Sequence, residues 1–102
     1  MSRPKPHYDI VWRPIAEADL DNIIDCIAQD KPISAEKFGD ELRNKVLLLA
    51  QYPKLGRTGR PGLPPFLREL VVHRNYIIFY RVLDETRTIE IFNVKHTAQQ
   101  TP

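Results

Sequence analysis

Cysteine is nearly absent from this chain: Cys26 stands alone among 102 residues. One thiol can close no internal disulfide and cannot build a cysteine-based zinc site. With no partner cysteine or histidine nearby in sequence, Cys26 reads as a small buried hydrophobe on a helix. Long apolar runs are missing as well. The longest aliphatic stretch, Val46–Ala50, is far too short to cross a bilayer, so no membrane partner is expected. Met1–Tyr8 (MSRPKPHY) is basic without an apolar stretch behind it, which is not a secretory signal, and a cytoplasmic protein is expected. His7 and His73 have no companions at ligand spacing, so both read as structural or solvent-facing, and neither a metal nor another cofactor is expected. No repeat and no low-complexity tract interrupts the chain.

What is present is a globular composition, with 42% hydrophobic and 27% charged residues. The length suits one domain, residues 1–102, with a thin core and a small stability margin. The net charge of +2 is unevenly divided. Residues 1–52 carry seven Lys/Arg against nine Asp/Glu, and residues 53–102 carry eight against four. A basic half beside an acidic half suits a protein that meets an anionic partner on one face.

Hydrophobic spacing gives the elements. Tyr8–Trp12 (YDIVW) reads as a short strand. Pro14 fits the first turn of a helix over residues 14–29, whose apolar stripe is Ala16, Leu20, Ile23, Ile24 and Ile27. Glu17, Asp21 and Asp25 line its opposite face and read as solvated. Asp30-Lys31-Pro32 breaks the pattern. A second helix then starts with Ser34 as N-cap and carries Ala35, Phe38, Leu42, Val46 and Leu49 inward as far as Tyr52-Pro53. So short a break predicts an antiparallel helical hairpin, and Leu47 and Leu48 widen the second stripe enough to leave apolar surface for a partner helix. Residues 53–65 (PKLGRTGRPGLPP) hold four prolines and three glycines, a loop from which Lys54, Arg57 and Arg60 project without any carboxylate. Three strands follow, over residues 66–73, 76–83 and 87–95, with a turn at Asp84-Glu85-Thr86. The middle one, YIIFYRVL, is apolar on both faces and belongs inside the sheet. The expected fold is α+β, in the order β-α-α-β-β-β, with the helical hairpin on one face of a small, mainly antiparallel four-stranded sheet.

Four stretches carry a family resemblance. Trp12–Asp25 is similar to an AxxDLxxI first helix, and Leu48–Arg57 (LLAQYPKLGR) resembles the end of a second helix and its loop. Leu67–Val82 (LREL…YIIFYRV) resembles a central hairpin opened by LRE and completed by YxIxYRV, and Ile91–His96 a final strand closed by histidine. Together they resemble the RelE/ParE superfamily of toxins from type II toxin–antitoxin systems, and within it the ParE type, over nearly the whole chain. The resemblance implies a toxin neutralised by a cognate antitoxin in a hetero-oligomer. It also implies one of two activities: poisoning of DNA gyrase, as in ParE-like members, or messenger RNA cleavage in the ribosomal A site, as in RelE-like members.

RNA cleavage needs a base, an acid and a fixed cation on the phosphate. By the resemblance, Arg68, Arg81 and His96 are the residues that would supply them, His96 because its ordinary pKa lies near neutrality. The loop offers no carboxylate base, and Thr97–Pro102 lacks the tyrosine, arginine or lysine of many RNA-cleaving relatives. Gyrase poisoning without a catalytic set is therefore the favoured expectation, although Ala98 and Gln99 stand where ParE relatives often carry arginines. Target contact is expected from Lys54, Arg57, Arg60, Arg68, Arg74, Lys95 and His96. The antitoxin is expected to lay a helix and an extended segment on the hairpin, against Leu20, Ile24, Leu42 and Val46, its acidic groups meeting Arg57, Arg60 and Arg74. A small nucleic-acid-binding module is the third alternative. It is disfavoured because no exposed aromatics are expected among the basic residues.

Overall fold

A computed structural model describes residues 7–97, so what was expected of Met1–Pro6 and of Ala98–Pro102 lies outside the described residues. The elements run β1 (Asp9–Trp12), α1 (Pro14–Ala28), α2 (Pro32–Leu47), β2 (Arg68–His73), β3 (Tyr76–Leu83) and β4 (Thr88–His96). The four strands form one sheet in the order β1-β4-β3-β2. β1 runs parallel to β4, and the other two pairings are antiparallel. Both helices pack on one face of this sheet, so the fold is the expected α+β arrangement.

Both helices begin at proline. Pro14 and Pro32 occupy first-turn positions, where the missing N–H is not needed and the fixed φ suits the helix. Lys31, not Ser34, is the N-cap of α2: its carbonyl accepts the first helical bond, from the Ala35 N–H at 2.9 Å. Having proline at the first helical position places the cap three residues ahead of the expected one. α2 also stops earlier than its apolar stripe. The chain tightens into a 3₁₀ turn at Leu48–Ala50, and the Ala50 carbonyl turns outward to accept the Tyr8 N–H at 2.9 Å. That bond ties the start of β1 to the end of the hairpin.

The core lies between the hairpin and the sheet. Ala16 and Leu20 of α1, Phe38, Leu42 and Val46 of α2, Leu49, and Val72, Ile78, Tyr80, Ile89, Ile91 and Val94 of the sheet make it up. Gly39 lets the helices approach closely, since a Cβ there would sit 3.0 Å from Ile24 Cδ1. In β4, Ile91 and Val94 both point inward although three residues apart. The β3–β4 register shifts between Phe79 and Tyr80, and this bulge leaves Phe92 as an extra residue that turns to the opposite face. Asp19 adds a polar tie between the layers, its carboxylate accepting the Val94 N–H at 3.0 Å.

Candidate functional site

The proline-rich crossover meets the sheet at Tyr80. This side chain is fully buried, and its hydroxyl donates to the Pro53 carbonyl and accepts the Gly56 N–H, both at 2.8 Å. Arg68, opposite Tyr80 across β2–β3, donates to the Gly56 carbonyl at 2.7 Å. One residue further on, Arg57 and Glu69 exchange backbone bonds of 3.0 and 2.9 Å, so the crossover adds a short rung to the outer edge of β2. Three loop residues, Pro53, Gly56 and Arg57, are thereby clipped to two strands. Only glycine fits at position 56, because a Cβ would lie 2.6 Å from the Glu69 carbonyl oxygen and 2.7 Å from the Tyr80 ring.

Burial raises the Tyr80 pKa above its ordinary value of 10.0, with the Gly56 N–H and Arg68 pulling partly the other way. A folded-state pKa above the unfolded one means stability that is intact below pH 10 and lost as pH rises through the folded value. Thermal unfolding followed by circular dichroism from pH 8 to 11 should show Tm falling above about pH 10. In Tyr80→Phe that alkaline fall should shrink, while stability at pH 7 drops by about 1–3 kcal/mol because the Pro53 carbonyl and Gly56 N–H lose their partner. An unchanged alkaline limb would show that Tyr80 is not the group responsible.

The three residues offered for RNA cleavage are not brought together. Arg68 is turned to the helix side and held by Gly56. Arg81 is on the other face, paired with Glu90 at 2.6 Å and lying against the Phe66 and Phe92 rings. His96 pairs with Tyr76, four residues along β3 from the partner of Arg68, about 13 Å of strand. Its ring meets Tyr76 edge-on at 5.0 Å, and it lines a shallow depression with Asp19, Asn22 and Cys26.

The seven residues expected to contact a target likewise do not form one rim. Lys54, Arg57, Arg60 and Arg68 cluster at the crossover end of β3, while Arg74, Lys95 and His96 lie at the Tyr76 end. Glu69 was not anticipated as a partner in this region, yet it pairs with Arg60 and approaches Arg57 at 3.6 Å. Sequence order hid it, because the carboxylate comes from the strand rather than from the loop.

The expected antitoxin groove is corrected more sharply. Leu20, Leu42 and Val46 are buried in the core, and Ile24 is half-buried in the seam between the helices at Gly39. Their helical spacing marked the inward stripe, and the inward stripe is filled by the sheet. Among the apolar side chains that do reach solvent, Leu47 and Leu48 at and just past the end of α2, Tyr52 and Leu55 fall within nine residues of chain. Cys26 is exposed, not buried, because it lies beside the Leu20–Ile24–Ile27 seam rather than in it. His73 rests edge-on against Phe38 at 4.8 Å with Nε2 3.6 Å from Glu41. Among the described residues no cluster of three or more His, Cys, Asp or Glu could hold a metal, and no helix is long and apolar enough to cross a membrane.

The arrangement has known counterparts. The sequence model of the ParE toxin of type II toxin–antitoxin systems (parDE) matches residues 10–101. The chain belongs to the ParE toxin family. It is 37% identical over 90 residues to a Caulobacter vibrioides protein named toxin RelE2, covering 88% of this chain and 96% of that one. Among solved structures, a chain of the chromosomal ParDE toxin–antitoxin system from P. aeruginosa superposes with a TM-score of 0.74 at 28% identity, over 88% of this chain and 96% of the other. A chain of the RelBE2 toxin–antitoxin complex from Mycobacterium tuberculosis shares the fold, with a TM-score of 0.67 at 19% identity over 96% and 100%. This ParE-family chain is thus a toxin of a type II toxin–antitoxin system, with the four-stranded RelE/ParE-like architecture.

Proposed function

We propose that this toxin acts in the ParE manner, by poisoning DNA gyrase in the cytoplasm, and that a cognate antitoxin silences it in a hetero-oligomer. The observation that carries the choice of target is the divergence of Arg68, Arg81 and His96 onto two faces and two ends of the sheet. A transition state for RNA cleavage needs acid, base and cation around one phosphate, within hydrogen-bonding reach. Two of the three groups are moreover occupied in holding the fold. A poison that works by lodging against its target needs a shaped surface and no such convergence.

For the antitoxin we propose the surface of Leu47, Leu48, Tyr52 and Leu55. Exposed apolar side chains this close together mark contact surface, and Lys45 and Lys54 beside them suit an amphipathic helix with acidic flanks. The experiment adds purified toxin to gyrase supercoiling and to ribosome-programmed translation side by side. Loss of supercoiling with trapped, cleaved DNA is the expected result. Messenger RNA cut in the A site, with gyrase unaffected, would replace this reading by the RelE-like one.

A further inference from the structure

The face of the sheet turned away from the helices carries an unusual array. Arg13 lies 4.9 Å from the centre of the Phe92 ring, Arg81 lies 5.6 Å from the same ring and 5.9 Å from Phe66, and Arg60 lies 5.8 Å from Phe79. The β4 bulge creates the array by turning Phe92 outward, and the crossover completes it by delivering Arg60 and Phe66. Phe79 and Tyr80 are buried as expected, but Phe66, 53% exposed, departs from the expectation that no exposed aromatic stands among the basic residues. Val11 and Val71, on the same face, are also about half exposed.

We propose that this open face is the surface with which the toxin grips its target, and that the element gripped is a protein segment carrying carboxylates around an apolar side chain. Charge complementarity identifies the occupant. Glu69 and Glu90 are already paired within the face, to Arg60 and Arg81, and Asp9 lies at its far end. Among the described residues Arg13 and Lys95 have no carboxylate partner, so the surplus of the face is cationic. A polyphosphate backbone would run over Glu69 and Glu90, a repulsion that a protein segment with two or three placed carboxylates avoids. Phe92 already has arginines against it and offers little to a nucleobase. Arginine and aromatic side chains pre-ordered by stacking are the usual anchors of protein interfaces, because little side-chain entropy is left to lose. The inference rests on the toxin reading, and it gives target and antitoxin separate surfaces.

The test uses Phe66→Ala and Arg13→Glu in the full chain, both at exposed positions outside the core. Growth arrest on graded induction is measured together with Tm, antitoxin affinity by calorimetry, and gyrase supercoiling. Expected are at least tenfold weaker arrest and gyrase inhibition, with Tm and antitoxin affinity unchanged. Full-strength arrest by both variants would overturn the proposal, as would an antitoxin affinity that falls in step with toxicity. Tight binding of a labelled single-stranded RNA by the wild type, lost in Phe66→Ala, would overturn the choice of a protein partner. If the wild type arrests growth without touching gyrase, the gyrase reading fails and the face is still judged by the arrest of its variants. A wild type that arrests nothing defeats both.

Discussion

Gly56→Ala should cost this toxin about 3 kcal/mol or more of stability, a large share of what a domain of this size has. The added Cβ would stand 2.6 Å from the Glu69 carbonyl oxygen and 2.7 Å from the Tyr80 hydroxyl and ring. Backbone on one side and a fully buried ring on the other leave no flexible group to yield. The loop must therefore lift, and lifting it breaks the Gly56 N–H bond to Tyr80 and the Arg68 bond to the Gly56 carbonyl together. Urea unfolding at pH 7 is the measurement. A loss below about 1 kcal/mol would mean that the crossover is not clipped as described. Because Arg60 and Phe66 are delivered by the same crossover, growth arrest should weaken with stability.

Leu42→Ala should be comparably severe for a different reason. Leu42 is wholly buried between α2 and the sheet, and removing its side chain leaves a cavity that rigid neighbours fill only in part. Such truncations cost about 2–5 kcal/mol, which for a chain of this length lowers Tm by roughly 15 °C. The informative comparison is Leu47→Ala, five residues away on the same helix but 60% exposed. It should leave Tm within about two degrees of wild type, since surface changes are usually within about 0.5 kcal/mol, and should weaken antitoxin binding. Leu42→Ala that melts normally, or Leu47→Ala that binds antitoxin as before, would contradict the division of the two residues between core and surface.

That division shows where the sequence was readable. Periodicity located both helices, all four strands and the inward stripes, because burial imposes a period that the chain alone displays. It could not say what filled the stripes, so Leu20, Leu42 and Val46 were mistaken for a groove when the sheet covers them. The spacing of Ile89, Ile91 and Val94 did contain the bulge, since two steps of unequal length cannot both hold in a regular strand, yet its consequence for Phe92 needed the register with β3. Side-chain partners distant in sequence were the least visible. Nothing local links Tyr80 to Pro53, Asp19 to Val94 or Arg60 to Glu69, and these contacts decide which charged groups remain available.

The parallel pairing of β1 with β4 has a consequence in time. Asp9–Trp12 is the first of the described strands along the chain and its sheet partner Thr88–His96 the last, with both helices, the crossover and two strands between them. Joining the two closes the longest loop of any strand pairing in the sheet, an entropic cost that is repaid only once β3 and β4 are in place. The edge strand therefore docks late in folding, and until it does the sheet lacks one side of the floor on which the helical hairpin rests.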